Sequence, residues 1–104
     1  MRRVQVIPRG AYRLFAALVA EEARLARKGK GTFRRRGRTG KHRARWVHTR
    51  FAGRLELKRG EGEVVEIKVK SKPGVEWQLL GAILGFIDRH FAPRVRAIDI
   101  QYGE

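Results

Sequence analysis

Between Arg24 and Arg45 the chain places eleven lysines and arginines and not one acid: Arg24, Arg27, Lys28, Lys30, Arg34, Arg35, Arg36, Arg38, Lys41, Arg43 and Arg45. Each can neutralise a phosphate and release its counterion, which makes binding to a polyanion steeply salt-dependent. Arginine dominates, and a guanidinium grips phosphate through two parallel N–H donors or stacks on a base. Phe33 and Trp46 flank the cluster and are expected to offer stacking surfaces to unpaired bases. So many like charges repel one another unless a partner neutralises them. The expected nucleic-acid contacts are therefore Lys28, Lys30, Phe33, Arg34, Arg35, Arg36, Arg38, Lys41, Arg43, Arg45, Trp46 and Arg50.

A second chemistry rests on Glu56, Glu66 and Lys68. Glu56 and Glu66 are expected opposite each other on adjacent strands and one face, where two carboxylates and a lysine can hold Mg²⁺ or Mn²⁺. Such a site positions a water for attack on a phosphodiester. Gly40-Lys41-His42 is no phosphate loop, because Arg35 stands where the first glycine belongs and His42 replaces the hydroxyl residue. His42, His48 and His90 lack the spacing of metal ligands.

These residues need elements to hold them. Val4, Val6 and Pro8 predict a short first strand, and apolar residues at helical spacing predict an amphipathic helix from Ala11 to about Lys28, with Glu21 and Glu22 outside. Gly29 to Arg45 has no apolar period and is expected to be one long basic loop. Three strands are expected at Arg45–Phe51, Leu55–Arg59 and Glu63–Lys70, joined by the glycine-bearing turns Ala52-Gly53-Arg54 and Gly60-Glu61-Gly62. A three-residue first turn aligns Val47, Thr49 and Phe51 with Leu55, Leu57, Val65, Ile67 and Val69 on one apolar face. The opposite face then carries Trp46, His48, Arg50, Glu56, Lys58, Glu66, Lys68 and Lys70. Pro73 opens a second helix that runs to about Phe91, apolar nearly all round, with Gly81 and Gly85 forming a flat strip. Val95–Tyr102 is a last strand. The expectation is an α+β domain over residues 1–104, in the order β-α-β-β-β-α-β, with a mostly antiparallel sheet, two helices and one long basic loop.

Gly53-Arg54-Leu55-Glu56-Leu57, then Val64-Val65-Glu66-Ile67-Lys68, then Gln78 in the next helix, resemble the PD-(D/E)xK nuclease superfamily. The resemblance implies an α-β-β-β-α-β core, Glu56 and Glu66 as metal ligands, Lys68 polarising phosphate or water, and Glu21 or Glu22 as an outer carboxylate. The family normally has Asp where this chain has Glu56. The order α-β-β-β-α is also similar to that of double-stranded RNA-binding domains. Their lysine cluster at the start of the second helix is replaced here by Pro73-Gly74-Val75-Glu76.

Composition narrows the classes. The 104 residues fit one domain, and 25 Lys+Arg against 10 Asp+Glu give a net charge of +15. There is no cysteine, which excludes disulfides, thiolate metal sites and a cysteine nucleophile. Met1-Arg2-Arg3 is followed by no long apolar run, so no secretory signal is expected. The apolar stretch Val75–Ile87 is too short to span a bilayer. The reading is a cytoplasmic, non-catalytic protein that grips the backbone of RNA or DNA through the Arg-rich loop and a basic sheet face, without a cofactor. The alternatives are a Mg²⁺- or Mn²⁺-dependent nuclease and a self-associating assembly module, a homodimer through the 74–91 helix. No membrane partner is expected.

Overall fold

The computed structural model describes residues 1–103. It has the expected α+β architecture and element order, with one addition. β1 (Arg2–Pro8) leads to α1 (Leu14–Arg27), followed by β2 (Phe33–Arg35), β3 (Arg43–His48), β4 (Arg54–Arg59) and β5 (Val65–Lys70). α2 (Glu76–Phe91) and β6 (Val95–Tyr102) complete the chain. The added element is the three-residue β2, which lies inside the segment expected to be loop.

All six strands pair antiparallel, in the order β2-β3-β4-β5-β1-β6. Alternation decides the two faces. Val4 and Val6 of β1, Ala44 and Trp46 of β3, Leu55 and Leu57 of β4, and Val65, Ile67 and Val69 of β5 are all buried. Both helices cover this face: α1 contributes Leu14, Phe15 and Leu18, and α2 contributes Leu79, Leu80, Ile83, Phe86, Ile87 and Phe91 to a single core. Each fully buried aliphatic side chain contributes about 1.5–3 kcal/mol, so this layer carries most of the stability. The other face of the sheet has no helix.

The first hairpin differs from expectation. β3 ends at His48, and the connection to β4 runs from Thr49 to Gly53, so Trp46 pairs with Leu55 and Ala44 with Leu57. This register brings Trp46 into the core and takes Val47 out of it. The turn itself dictates the shift. His48 Nδ1 accepts the backbone N–H groups of Arg50 (3.0 Å) and Phe51 (3.2 Å), capping the chain reversal, and the His48 and Phe51 rings stack at 4.5 Å. Gly53, at φ +108°, closes the turn where a Cβ would overlap the Lys70 carbonyl oxygen and lie 2.8 Å from Ser71 Cβ.

A pH dependence follows from this turn. Burial, and secondarily the charge of Arg50, holds His48 below the ordinary imidazole range. Its folded pKa therefore lies below its unfolded one. The stabilisation is complete above the unfolded value, about 6.5, and is lost as pH falls towards the folded value. Chemical denaturation should show stability decreasing as pH is lowered below about 6.5, and His48→Asn should remove that decrease. An unchanged profile in His48→Asn would assign it to another group. The loss at lower pH has a separate origin, in carboxylates that include Glu21 and Glu56. These carboxylates are held below their ordinary range chiefly by hydrogen bonds from Arg24 and Arg54 respectively.

The helices also depart from expectation in detail. α1 begins at Leu14, and its buried line runs Leu14, Phe15, Leu18 and Glu22, so Glu22 lies inside although it was expected outside. Glu21 lies partly exposed at the α1–α2 contact, bonded to Arg24 Nη2 (2.6 Å) and 3.2 Å from His90 Nδ1. α2 starts at Glu76, whose carboxylate sits 3.6 Å from Arg2 of β1. No helix is long and apolar enough to cross a membrane among the described residues.

Candidate nucleic-acid interface

The helix-free face of the sheet carries the alternate residues of each strand, and the registers set them in rows. One row runs Arg45, Glu56, Lys68, Arg3, and the next runs Arg43, Lys58, Glu66, Gln5. Beyond the first row, Arg54 faces Lys70. Residues 36–42 form the connection from β2 to β3. Arg36 N–H donates to the Arg45 carbonyl at 2.7 Å, and Gly40 N–H to the Arg43 carbonyl at 2.9 Å. The connection and the sheet enclose a half-open cleft of about 420 Å³, lined by Arg38, Gly40, Arg43, Ala44, Arg45, Glu56, Leu57, Lys58, Glu66 and Lys68.

Five of those lining residues are cations, and Arg38, Arg43, Arg45, Lys58 and Lys68 form no ion pair among the described residues. Glu56 is already occupied: Arg54 Nε lies 3.0 Å and Lys70 Nζ 3.2 Å from its Oε2. The Arg54 hydrogen bond, aided by Lys70, holds the Glu56 carboxyl below its ordinary range against the opposing effect of burial. Glu66 forms no ion pair among the described residues and faces Lys58 across the ladder. The cleft is thus a cationic surface with one neutralised and one free carboxylate, able to take a polyanion along its length.

The residues expected to grip nucleic acid do not all gather in the cleft. Arg38, Arg43 and Arg45 line the cleft together with Lys68. Arg35, Arg36 and Lys41 are exposed on β2 and the connection, and Lys28 and Lys30 are exposed at the end of α1. Arg50 is exposed in the turn after β3 and is not part of the cleft lining. Arg34 is half-committed to structure. Its Nη1 donates to the carbonyls of Lys30 (3.2 Å), Gly31 (3.2 Å) and Phe33 (2.8 Å), closing the turn that leads from α1 into β2.

Phe33 and Trp46 are not stacking surfaces. Trp46 is fully buried, and Phe33 packs 5.7 Å from it and edge-on to Phe86 of α2. A large ring beside a basic segment satisfies either reading from sequence alone; the register of β3 turns both rings towards the helices. Among the described residues Trp46 Nε1 lies buried without a hydrogen-bond partner, a cost of about 1–3 kcal/mol that the packing of the indole offsets. Lys58 and Lys68 were expected on the basic sheet face but were not among the named contacts, although their alternation with Leu55 and Leu57, and with Ile67 and Val69, marks them as outward residues.

Glu56 and Glu66 do share a face, but they are diagonal neighbours, since Glu56 pairs with Lys68 and Glu66 with Lys58. The two-residue offset places a lysine opposite each carboxylate. Glu21, Glu22 and Gln78 belong to the helices, across the sheet from these carboxylates, and none can complete their shell. Among the described residues no third His, Cys, Asp or Glu joins the pair. Two carboxylates, one of them already holding two cations, make a poor donor set for a divalent metal that takes six or more oxygens.

Searches of protein-family models, curated proteins and solved structures find no match to this chain.

Proposed function

We propose that this protein binds nucleic acid through the phosphate backbone, without catalysis, using the cleft and the basic connection beside it. The observation that carries this reading is the set of five unpaired cations lining one cleft on the helix-free face. A charge of +15 on 104 residues calls for a polyanionic partner. No aromatic ring lines the cleft, so contacts there are to phosphate and sugar, which position a strand without reading its sequence.

The test is a titration of RNA and DNA, single- and double-stranded, across a range of salt concentrations. Five phosphate contacts on a duplex give a slope of log Kobs against log [salt] of about −4.5. A slope near zero, or binding that disappears at low salt, would remove the proposal.

A metal-dependent nuclease is the second reading, favoured by the presence of Glu66 and Lys68 in one cleft. The occupied Glu56 and the missing third ligand count against it. The expected outcome is no cleavage of DNA or RNA with Mg²⁺ or Mn²⁺, and unchanged or slightly tighter binding in Glu66→Gln. Metal-dependent cleavage, lost in both Glu66→Gln and Lys68→Ala, would install the nuclease instead.

Self-association through α2 belongs to the proposal as well. A Cβ at Gly81 or Gly85 would meet nothing within 4 Å, so neither glycine is needed for packing on the sheet. An exposed helical glycine costs about 1 kcal/mol relative to alanine, and a close partner on that side would give the pair a use.

A further inference from the structure

The two carboxylates of the cleft are not alike. Glu56 is held by Arg54 Nε and Lys70 Nζ, whereas Glu66 has no ion pair and no side-chain hydrogen bond among the described residues. The strand registers fix what surrounds it. Lys58 stands directly across the β4–β5 ladder, Lys68 follows two residues along β5 on the same face, and Gln5 of β1 is opposite on the other side. Cross-strand neighbours have Cβ atoms about 5 Å apart, and residues two apart on one strand about 7 Å. Neither lysine forms an ion pair among the described residues. Glu66 is thus bordered on two sides by cations that are open to a ligand, and Gln5 brings no charge to neutralise it.

In a cleft that grips phosphate, a bare carboxylate repels every phosphate that the lysines attract. An ionised carboxylate only accepts hydrogen bonds, so it favours binding only where the ligand itself brings a donor. A nucleic-acid strand carries donors on its base edges and, in RNA, at the ribose 2′-hydroxyl. Unpaired bases are held by stacking on aromatic rings, and none lines this cleft. The sugar remains. It lies between consecutive phosphates along the strand, just as Glu66 lies between two free lysines.

We infer, on the reading that this cleft binds nucleic-acid backbone, that Glu66 accepts a hydrogen bond from a ribose 2′-hydroxyl while Lys58 and Lys68 hold the flanking phosphates, so that the cleft selects RNA over DNA. The 2′-hydroxyl is the group by which a protein tells the two apart at a given site. A deoxyribose offers no donor at C2′, and Glu66 then contributes repulsion alone. One hydrogen bond to a charged acceptor sets the expected preference at about tenfold. Glu56 takes no part, because Arg54 and Lys70 already occupy it.

Fluorescence anisotropy of the full chain with single-stranded oligouridylate and oligodeoxyuridylate of one length, without divalent metal, tests this. Both strands should bind with a steep salt dependence, the RNA about tenfold more tightly. A 2′-fluoro strand, which keeps the sugar pucker of RNA but has no 2′ donor, should bind as weakly as the DNA. Glu66→Leu should bind RNA and DNA alike, whereas Glu66→Gln, which keeps a carbonyl acceptor, should retain the preference for RNA. If Glu66→Leu does not fold, the 2′-fluoro comparison on the wild type decides alone. Equal affinity of the wild type for RNA and DNA, with the steep salt slope intact, overturns the inference and leaves backbone binding standing. So does a 2′-fluoro strand that binds as tightly as RNA, or a preference that survives in Glu66→Leu. Absence of salt-dependent binding to any strand removes the backbone reading and this inference with it.

Discussion

Replacing Arg38, Arg43, Arg45, Lys58 and Lys68 together with alanine will flatten the salt dependence of nucleic-acid binding by about four to five units of slope and weaken binding by roughly 10³-fold near physiological salt. The fold will survive. Lys58 and Lys68 alternate with buried residues and point away from them, and all five side chains line the helix-free face. None forms an ion pair among the described residues, and removing five like charges relieves repulsion in the compact state. Filter binding or fluorescence anisotropy at several salt concentrations, together with a thermal melt, measures both halves of the result. An unaltered slope would move the contact to the exposed Lys28, Lys30, Arg35, Arg36 and Lys41. Arg34 is left out of the set deliberately, since its three carbonyl contacts mean that Arg34→Ala would disturb the turn into β2 as well as the charge.

The opposite result is expected for Trp46→Ala. It will destabilise the protein by about 3–5 kcal/mol, the range for removing a large aromatic side chain from a packed core. Nucleic-acid affinity, measured under conditions where the variant remains folded, will stay within about twofold of wild type. The indole packs against Phe33 and Phe86, at centroid distances of 5.7 and 5.6 Å, and has no exposed surface to offer a base. Denaturant titration gives the first quantity and anisotropy the second. A stable variant with weakened binding would return Trp46 to the interface. The pair of experiments separates the two layers of the molecule, since one set of substitutions alters binding without stability and the other alters stability without binding.

Both layers were partly legible in the sequence, for different reasons. The strands β4 and β5 announce themselves through strict alternation: Leu55 and Leu57, then Val65, Ile67 and Val69, inward, with Glu56, Lys58, Glu66 and Lys68 outward. Proline and glycine mark the approach to α2. The first hairpin was harder because Val47, Thr49 and Phe51 give the more apolar alternation, whereas the observed register buries Trp46 and Ala44. The deciding interactions are the His48 cap and the close approach of Gly53 to Lys70, neither of which is a property of a local window. β2 was invisible for a related reason. Phe33-Arg34-Arg35 has one apolar residue, and it is a strand only because β3 supplies a partner. The candidate site shows the same split. The cations were countable from sequence, but that Arg38 from the connection meets Lys58 and Lys68 from the sheet depends on how residues 36–42 fold back. The diagonal placement of Glu56 and Glu66 likewise depends on the β4–β5 register, where one step of two residues decides whether carboxylate faces carboxylate or lysine.

The position of β1 has a mechanical consequence. Arg2 lies directly opposite Tyr102, so the first and last strands run side by side with their outer ends together. A force applied between these two residues does not load the β1–β6 ladder in shear, where all its bonds would resist at once. It opens the ladder from one end, pair by pair, as a zipper opens. β6 would peel away first and at low force, while β3, β4 and β5, which carry the cleft, would lie outside the line of tension until β1 itself was pulled from β5.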